Sequence, residues 1–100
     1  MFYVYVLESE STHSWYIGYT QDLNERLQRH NTHQVTSTAH KGPWRHIYYE
    51  GYLDRRDAIG REKFLKSGAG WRFLKKQMKY WLEDRDVDAI EKMIAFDDDE

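Results

Sequence analysis

The sequence predicts a single α/β domain of the α+β kind, on three observations. Residues 2–8, Phe-Tyr-Val-Tyr-Val-Leu-Glu, and 15–19, Trp-Tyr-Ile-Gly-Tyr, are β-branched and aromatic runs joined by a short polar link. That is the composition and spacing of an antiparallel hairpin. A third aromatic run extends from Trp44 to Leu53, with Ile47, Tyr48, Tyr49 and Tyr52 marking a strand. Segments with helical spacing follow the second and third strands, each opened by an aspartate.

Bulk properties fit that class. One hundred residues, 40% hydrophobic and 32% charged, suit a soluble globular core of one domain. No apolar run approaches the roughly 18–20 residues of a membrane span, so no membrane contact is expected. The N-terminal residues Met1 to Tyr5 lack the basic-then-apolar pattern of a signal peptide. With no cysteine there is no disulfide framework, thiolate chemistry or cysteine-based zinc site. A cytoplasmic location is the expectation.

The first run is nearly continuous in apolar character, so it should be covered on both faces. Residues 9–14 are polar and turn-like. Gly18 interrupts the second strand and suggests a bulge or a close backbone approach. Asp22 can cap a helix whose third residue is Glu25. Leu23 and Leu27 are expected to face the core, with Arg26 and His30, also i and i+4, stacked on a neighbouring face. Asn31 is a plausible stop. Residues 32–43 form a polar loop with hydroxyls, two histidines and Lys41, long for a connection without a purpose. Asp54 caps a helix expected over roughly 55–67, with an inward stripe that includes Ala58, Ile59 and Leu65. Residues 67–70, Ser-Gly-Ala-Gly, break it. A third helix is expected over about 71–83, with Trp71, Leu74, Met78 and Trp81 or Leu82 on one side. After Asp84-Arg85-Asp86, the residues Val87, Ile90 and Ile94 sketch a short fourth helix, and residues 97–100 a solvated acidic tail.

The net charge of −2 conceals an asymmetry. Residues 1–79 carry 13 Lys/Arg against 8 Asp/Glu, and residues 80–100 carry 2 against 9. A mildly basic body permits contact with a polyanion without demanding it.

Several side chains carry candidate chemistry. Glu62 lies among the apolar positions of its helix, where a carboxylate costs energy unless it is paired or holds a metal. Two readings stay open: an ion pair to Arg26, Arg61 or Lys66, or a ligand for a hard divalent cation such as Mg²⁺. Tyr5 and Tyr16 fall on adjacent strands, either as packing residues or as two phenols directed at one site. Arg26 could hold a phosphate in bidentate fashion, and His30, one turn on, could relay a proton or stabilise the helix end. His30 and His33, at i and i+3, give a weak metal signal with no third ligand.

Together these residues match a family. The segments Tyr3-Val4-Tyr5-Val6-Leu7, Trp15-Tyr16-Ile17-Gly18-Tyr19-Thr20, Asp22-Leu23, Arg26-Leu27, His30-Asn31 and Arg61-Glu62-Lys63-Phe64-Leu65-Lys66-Ser67-Gly68 resemble the GIY-YIG endonuclease superfamily. The likeness is to its small stand-alone members, related to the nuclease half of the bacterial repair excinuclease, and it covers about residues 1–77. It implies a compact fold with a three-stranded antiparallel sheet flanked by helices, and metal-dependent hydrolysis of phosphodiester bonds with Mg²⁺ or Mn²⁺. It places Tyr5 as the tyrosine of the first triplet and Tyr16 as that of the second, the base or water-orienter. Arg26 would neutralise the scissile phosphate, His30 would assist proton transfer, and Glu62 would be the single metal ligand. Two departures stand out. The first triplet lacks the family's glycine, and Tyr19 stands where many relatives carry a lysine.

The resemblance divides the chain into a nuclease-like domain over residues 1–80 and an acidic helical extension and tail over 81–100. That segment could repel nucleic acid or offer a surface to a protein partner. The expected function is a metal-dependent endonuclease acting on nucleic acid, DNA in the first instance, with low sequence specificity and a preference set by substrate structure. DNA repair is the setting expected. The alternative is a catalytically weak nucleic-acid-binding or protein-interaction module on the same scaffold.

Overall fold

A computed structural model describes residues 1–92 together with 94 and 95. The expected acidic tail at 97–100 lies outside the described residues. Strand β1 runs Phe2–Ser9, β2 Trp15–Thr20 and β3 Trp44–Tyr52. Helix α1 covers Leu23–Asn31, α2 Arg55–Leu65, α3 Gly68–Gln77 and α4 Val87–Lys92. The three long strands form the expected antiparallel sheet with β1 in the centre. A two-residue strand, β4 (Ile94–Ala95), adds parallel to Trp15 and Tyr16 of β2, so the sheet order is β3-β1-β2-β4. Ile94 therefore belongs to a strand and not to the fourth helix. Its spacing from Val87 and Ile90 is helical, but backbone pairing to a distant strand decides its conformation.

Alternation along the central strands sorts their side chains onto two faces. Val4, Val6, Trp15 and Ile17 join Ala58, Leu65, Trp71 and Leu74 in the main core. Tyr5, Leu7 and Tyr16 turn the other way and form a second cluster with Trp44, against which Leu23 and Leu27 of α1 pack. The expectation that β1 is covered on both sides is met.

The register across Gly18 is unbroken, with Tyr5 opposite Gly18. The irregularity lies instead between β1 and β3, where Val6 pairs with Tyr48 but Leu7 with His46. Ile47 is the extra residue. A bulge of one residue reverses the alternation beyond it. Trp44 and His46 thus point to the α1 side, while Tyr48, Glu50 and Tyr52 lie on the opposite face.

The helix starts follow their caps. The Asp22 side chain accepts from Glu25 N at 3.0 Å, and that of Asp54 accepts from Arg56 N at 2.8 Å. Ser67 accepts from Gly70 N at 3.1 Å, so α3 begins at Gly68, earlier than the glycines suggest, and it ends at Gln77. Gly70 is required there, because a Cβ would collide with Phe64 O and Leu65 Cα. On α2 the buried stripe is Ala58, Glu62 and Leu65, with Ile59 at its flank. Beyond α3, Leu82, Ile90 and Ile94 complete the main core. Among the described residues, no helix is long and apolar enough to cross a membrane.

Candidate active site

Helix α1 inverts the expected pattern. Its fully or nearly buried residues are Arg26 and His30, with Leu23 and Leu27 half-buried beside them. Polar side chains can point inward here because the sheet face beneath offers phenols as partners. Tyr5 OH and His30 Nε2 are 2.9 Å apart. Arg26 Nε donates to Tyr5 OH at 3.4 Å. The Tyr16 ring lies 4.8 Å from that of His30 and 6.4 Å from that of Tyr5, centroid to centroid. Four of the five residues singled out in the sequence therefore meet in one cluster, drawn from β1, β2 and α1. His33 has no place in it. It turns outward in the left-handed region (φ 62°) and stacks on His40 at 5.2 Å.

Tyr5, Tyr16 and His30 are fully buried. Arg26 is the member that reaches solvent: it lines a groove of about 530 Å³ with Tyr19, Thr20, Gln21, Arg29 and Arg55. Arg55 Nε donates to Tyr19 OH at 3.0 Å. Tyr19 thus draws an arginine from α2 to the groove, where Arg26, Arg29 and Arg55 outnumber the one carboxylate, Glu25.

Glu62 is the fifth residue, 8% exposed on the buried stripe of α2. Lys66 Nζ lies 3.3 Å from its Oε2, as one of the two sequence readings expected. Arg61 turns away to Glu50, with bonds of 2.9 and 3.1 Å to the two carboxylate oxygens. Tyr52 OH, at 2.7 Å, and Tyr48 OH donate to the same carboxylate. Burial pushes the Glu50 carboxyl up, but the bonds from Arg61, Tyr48 and Tyr52 outweigh it and hold it below its usual range. Burial and the Glu50 bond raise the Tyr52 phenol to about 12. This clamp ties α2, and with it Glu62, to β3.

The Glu62 carboxylate is an oxygen donor of the kind that suits the hard cation the resemblance implies, with the Lys66 ammonium standing 3.3 Å from it. Mg²⁺ is commonly held by one or two carboxylates, with water and phosphate oxygens completing its shell. Among the described residues no three His, Cys, Asp or Glu side chains come together. Glu62 would be the residue to hold such an ion, and the described residues build no closed cage of the structural-zinc type.

Two residues of the cluster carried no sequence signal. His46, re-aimed by the bulge, bonds Leu23 O through Nε2 at 3.1 Å and sets its ring 5.9 Å from that of Tyr5, edge to face. Its Nδ1 is buried with no hydrogen-bond partner among the described residues. Thr38 comes from the loop and places Oγ1 2.8 Å from His30 Nδ1. Burial, then Arg26, His46 and Arg29, lower the His30 pKa from 6.5 to about 4, so the ring is neutral at neutral pH. A neutral imidazole beside a phenol under an arginine can accept a proton, and the arginine can take an anionic oxygen at the groove.

Residues 1–70 match the model of the GIY-YIG catalytic domain. The UPF0213 protein of Pediococcus acidilactici is 34% identical over 82 residues, 79% of each chain. A UPF0213 protein of Limosilactobacillus reuteri is 28% identical over 92 residues, 89% of this chain and 90% of that one. A UPF0213 protein of Bacillus halodurans, solved in solution by NMR, is 28% identical with a TM-score of 0.43, over 93% of this chain and 97% of that one. With its tyrosine pair, arginine and histidine on one face and a family match over residues 1–70, the chain belongs to the GIY-YIG family, whose domain is a catalytic domain of the nuclease type.

Proposed function

We propose that this chain is a metal-dependent endonuclease that hydrolyses phosphodiester bonds in nucleic acid, DNA in the first instance, with low sequence specificity. The observation that carries the reading is the junction at Arg26. One side chain both lines an arginine-bordered groove and donates to the buried Tyr5–His30 pair. A phosphodiester in that groove would meet Arg26 where negative charge develops on the phosphate, and an arginine preorganised there favours the transition state over the ground state. Arg29 and Arg55 would hold neighbouring phosphates, contacts that carry no sequence information. Tyr5, Tyr16 and His30 stand behind Arg26 as proton-handling groups. A divalent ion bound at Glu62 would supply charge neutralisation on the phosphate oxygens and a water of lowered pKa.

A second reading rests on the Glu62–Lys66 pair. An ammonium already beside the carboxylate suits a binding module in which Glu62 is structural. One experiment separates the two. The protein and a Glu62→Gln variant are incubated with branched, single-stranded and duplex DNA and RNA, in Mg²⁺, Mn²⁺ or EDTA. Cleavage by the parent in Mg²⁺ or Mn²⁺, lost in EDTA and in the variant, is the expected result. Equal cleavage by the variant would remove Glu62 from the site, and binding without cleavage of any substrate would support the module.

A further inference from the structure

The loop between α1 and β3 contributes one buried hydroxyl to the site, and its bonds set the direction of the whole hydrogen-bond chain. Thr38 sits in a single 3₁₀ turn, Thr36–Thr38, and is fully buried. It is held from both sides. Its backbone oxygen accepts from Trp44 Nε1 at 3.1 Å, and its Oγ1 lies 3.3 Å from Val35 O and 2.8 Å from His30 Nδ1. Trp44 is itself fixed, because Asn31 at the end of α1 bonds its backbone N at 2.6 Å and O at 3.1 Å.

A carbonyl oxygen only accepts, and the Thr38 hydroxyl donates to Val35 O at 3.3 Å. With its proton so placed, the Thr38 oxygen accepts from His30, which puts the His30 proton on Nδ1. A neutral imidazole carries one N–H, so Nε2 holds a lone pair and Tyr5 OH donates to it across 2.9 Å. The Tyr5 oxygen in turn accepts from Arg26, which has no lone pair to offer. These four bonds run one way: Arg26 to Tyr5, Tyr5 to His30, His30 to Thr38, Thr38 to Val35.

We propose that Thr38 is a positioning residue that locks His30 as the Nδ1–H tautomer, so that His30 Nε2 is the proton acceptor for Tyr5. The role in turnover rests on the nuclease reading; the tautomer does not. In the proton step, a proton reaching the Tyr5 oxygen forms one O–H bond as Tyr5's own proton leaves for Nε2. The result is a phenol and an imidazolium whose two N–H groups face Tyr5 and Thr38, and the imidazolium returns its proton when the cycle closes. With the opposite tautomer, Nε2–H would point at Tyr5 and the step would be blocked. The groups around the ring are Arg26 and Arg29 on α1, Tyr5 on β1, Tyr16 on β2 and His46 on β3. Burial and the positive charge of the arginines keep the ring neutral, the state in which a tautomer has meaning.

The test needs no substrate. In ¹⁵N-labelled protein near pH 7.5, long-range proton–nitrogen spectra distinguish protonated from unprotonated ring nitrogens, with His30 assigned by its absence in His30→Gln. The expected parent spectrum has Nδ1 protonated and Nε2 bare. Thr38→Ser should keep that pattern, and Thr38→Val, which removes the acceptor, should shift the ring to predominantly Nε2–H. A parent ring already in the Nε2–H form overturns the proposal, whether or not the valine variant folds, and so does a Thr38→Val spectrum identical to the parent. On a cleavable substrate, Thr38→Val should lower kcat about tenfold or more with KM unchanged, and serine should restore it. The expected tautomer in a protein that cleaves nothing would sink the nuclease reading and leave the Thr38 assignment standing. Cleavage by a protein whose His30 is Nε2–H would do the reverse.

Discussion

The two faces of the sheet are built from the same strands and serve different ends. Toward α2 and α3, Val4, Val6, Trp15 and Ile17 meet aliphatic and aromatic partners in a core where the Trp15 indole donates to Glu8 at 3.3 Å and the Trp71 indole to Glu91 at 2.6 Å. Toward α1, Tyr5 and Tyr16, each one residue away from those positions, meet an arginine and a histidine. Alternation by single residues lets one strand hold the fold with its even side chains and the candidate chemistry with its odd ones. The apolar face tolerates no loss of volume, whereas the polar face should tolerate loss of single atoms in stability but not in activity.

Substitutions on opposite faces test that contrast. Trp15→Ala, which empties a fully buried site and removes the edge-to-face contact with Trp71 at 5.5 Å, should lower the unfolding free energy in urea by about 3–5 kcal/mol. Tyr5→Phe, on the other face of the same sheet, should cost only about 1–2 kcal/mol in the same assay. It should also reduce cleavage by about a hundredfold or more. If Tyr5→Phe unfolded the protein as Trp15→Ala does, the two faces would not differ in kind.

Acid should act first on the polar face, since on the opposite face the Glu50 carboxyl is held below its usual range. His30 is held near a pKa of about 4 against an ordinary 6.5, first by burial and then by Arg26, His46 and Arg29. The unfolded chain therefore binds more protons than the folded one between those values. Stability is fully present above about pH 6.5 and is lost as the pH falls through 4, by up to about 3 kcal/mol from this residue. Urea midpoints measured from pH 7.5 to 4 should show the decline, and His30→Gln should flatten it. A slope unchanged in His30→Gln would assign the acid sensitivity elsewhere.

The smallest expected effect lies at the rim. Arg55→Gln should leave stability within about 0.5 kcal/mol and weaken nucleic-acid binding. It should also lower the slope of log affinity against log salt by about one, as expected for one lost phosphate contact. An unchanged slope would place the nucleic acid outside this groove.

The sequence revealed the strands and their caps because each rests on local chemistry: β-branched and aromatic runs, and aspartates that accept from the first helical turn. The cluster was legible in part, since Tyr5, Tyr16, Arg26 and His30 were read through a resemblance and do meet. The burial of Arg26 and His30 was not legible, because a helical stripe weighs Leu23 and Leu27 by hydrophobicity and cannot know that the facing surface carries hydroxyls. His46 and Thr38 had no local signal at all. One is re-aimed by a bulge between paired strands, the other by a turn anchored to Trp44, and both depend on partners distant in sequence. The only hint was a polar loop longer than its connection requires. Ile94 failed for the same reason: its neighbours along the chain say helix, and its partner across the sheet says strand.

The two-residue strand at Ile94–Ala95 also redefines where this domain ends as a physical object. The family match stops at residue 70, yet the backbone of residues 94 and 95 covers the outer edge of β2 beside Trp15 and Tyr16, and Ile90 and Ile94 sit in the main core. A version trimmed to the matched length would keep every candidate catalytic side chain while baring an unpaired strand edge and an apolar hollow next to it. Such an edge is a template for pairing with other chains. Trimming there is expected to produce aggregates in place of a minimal enzyme.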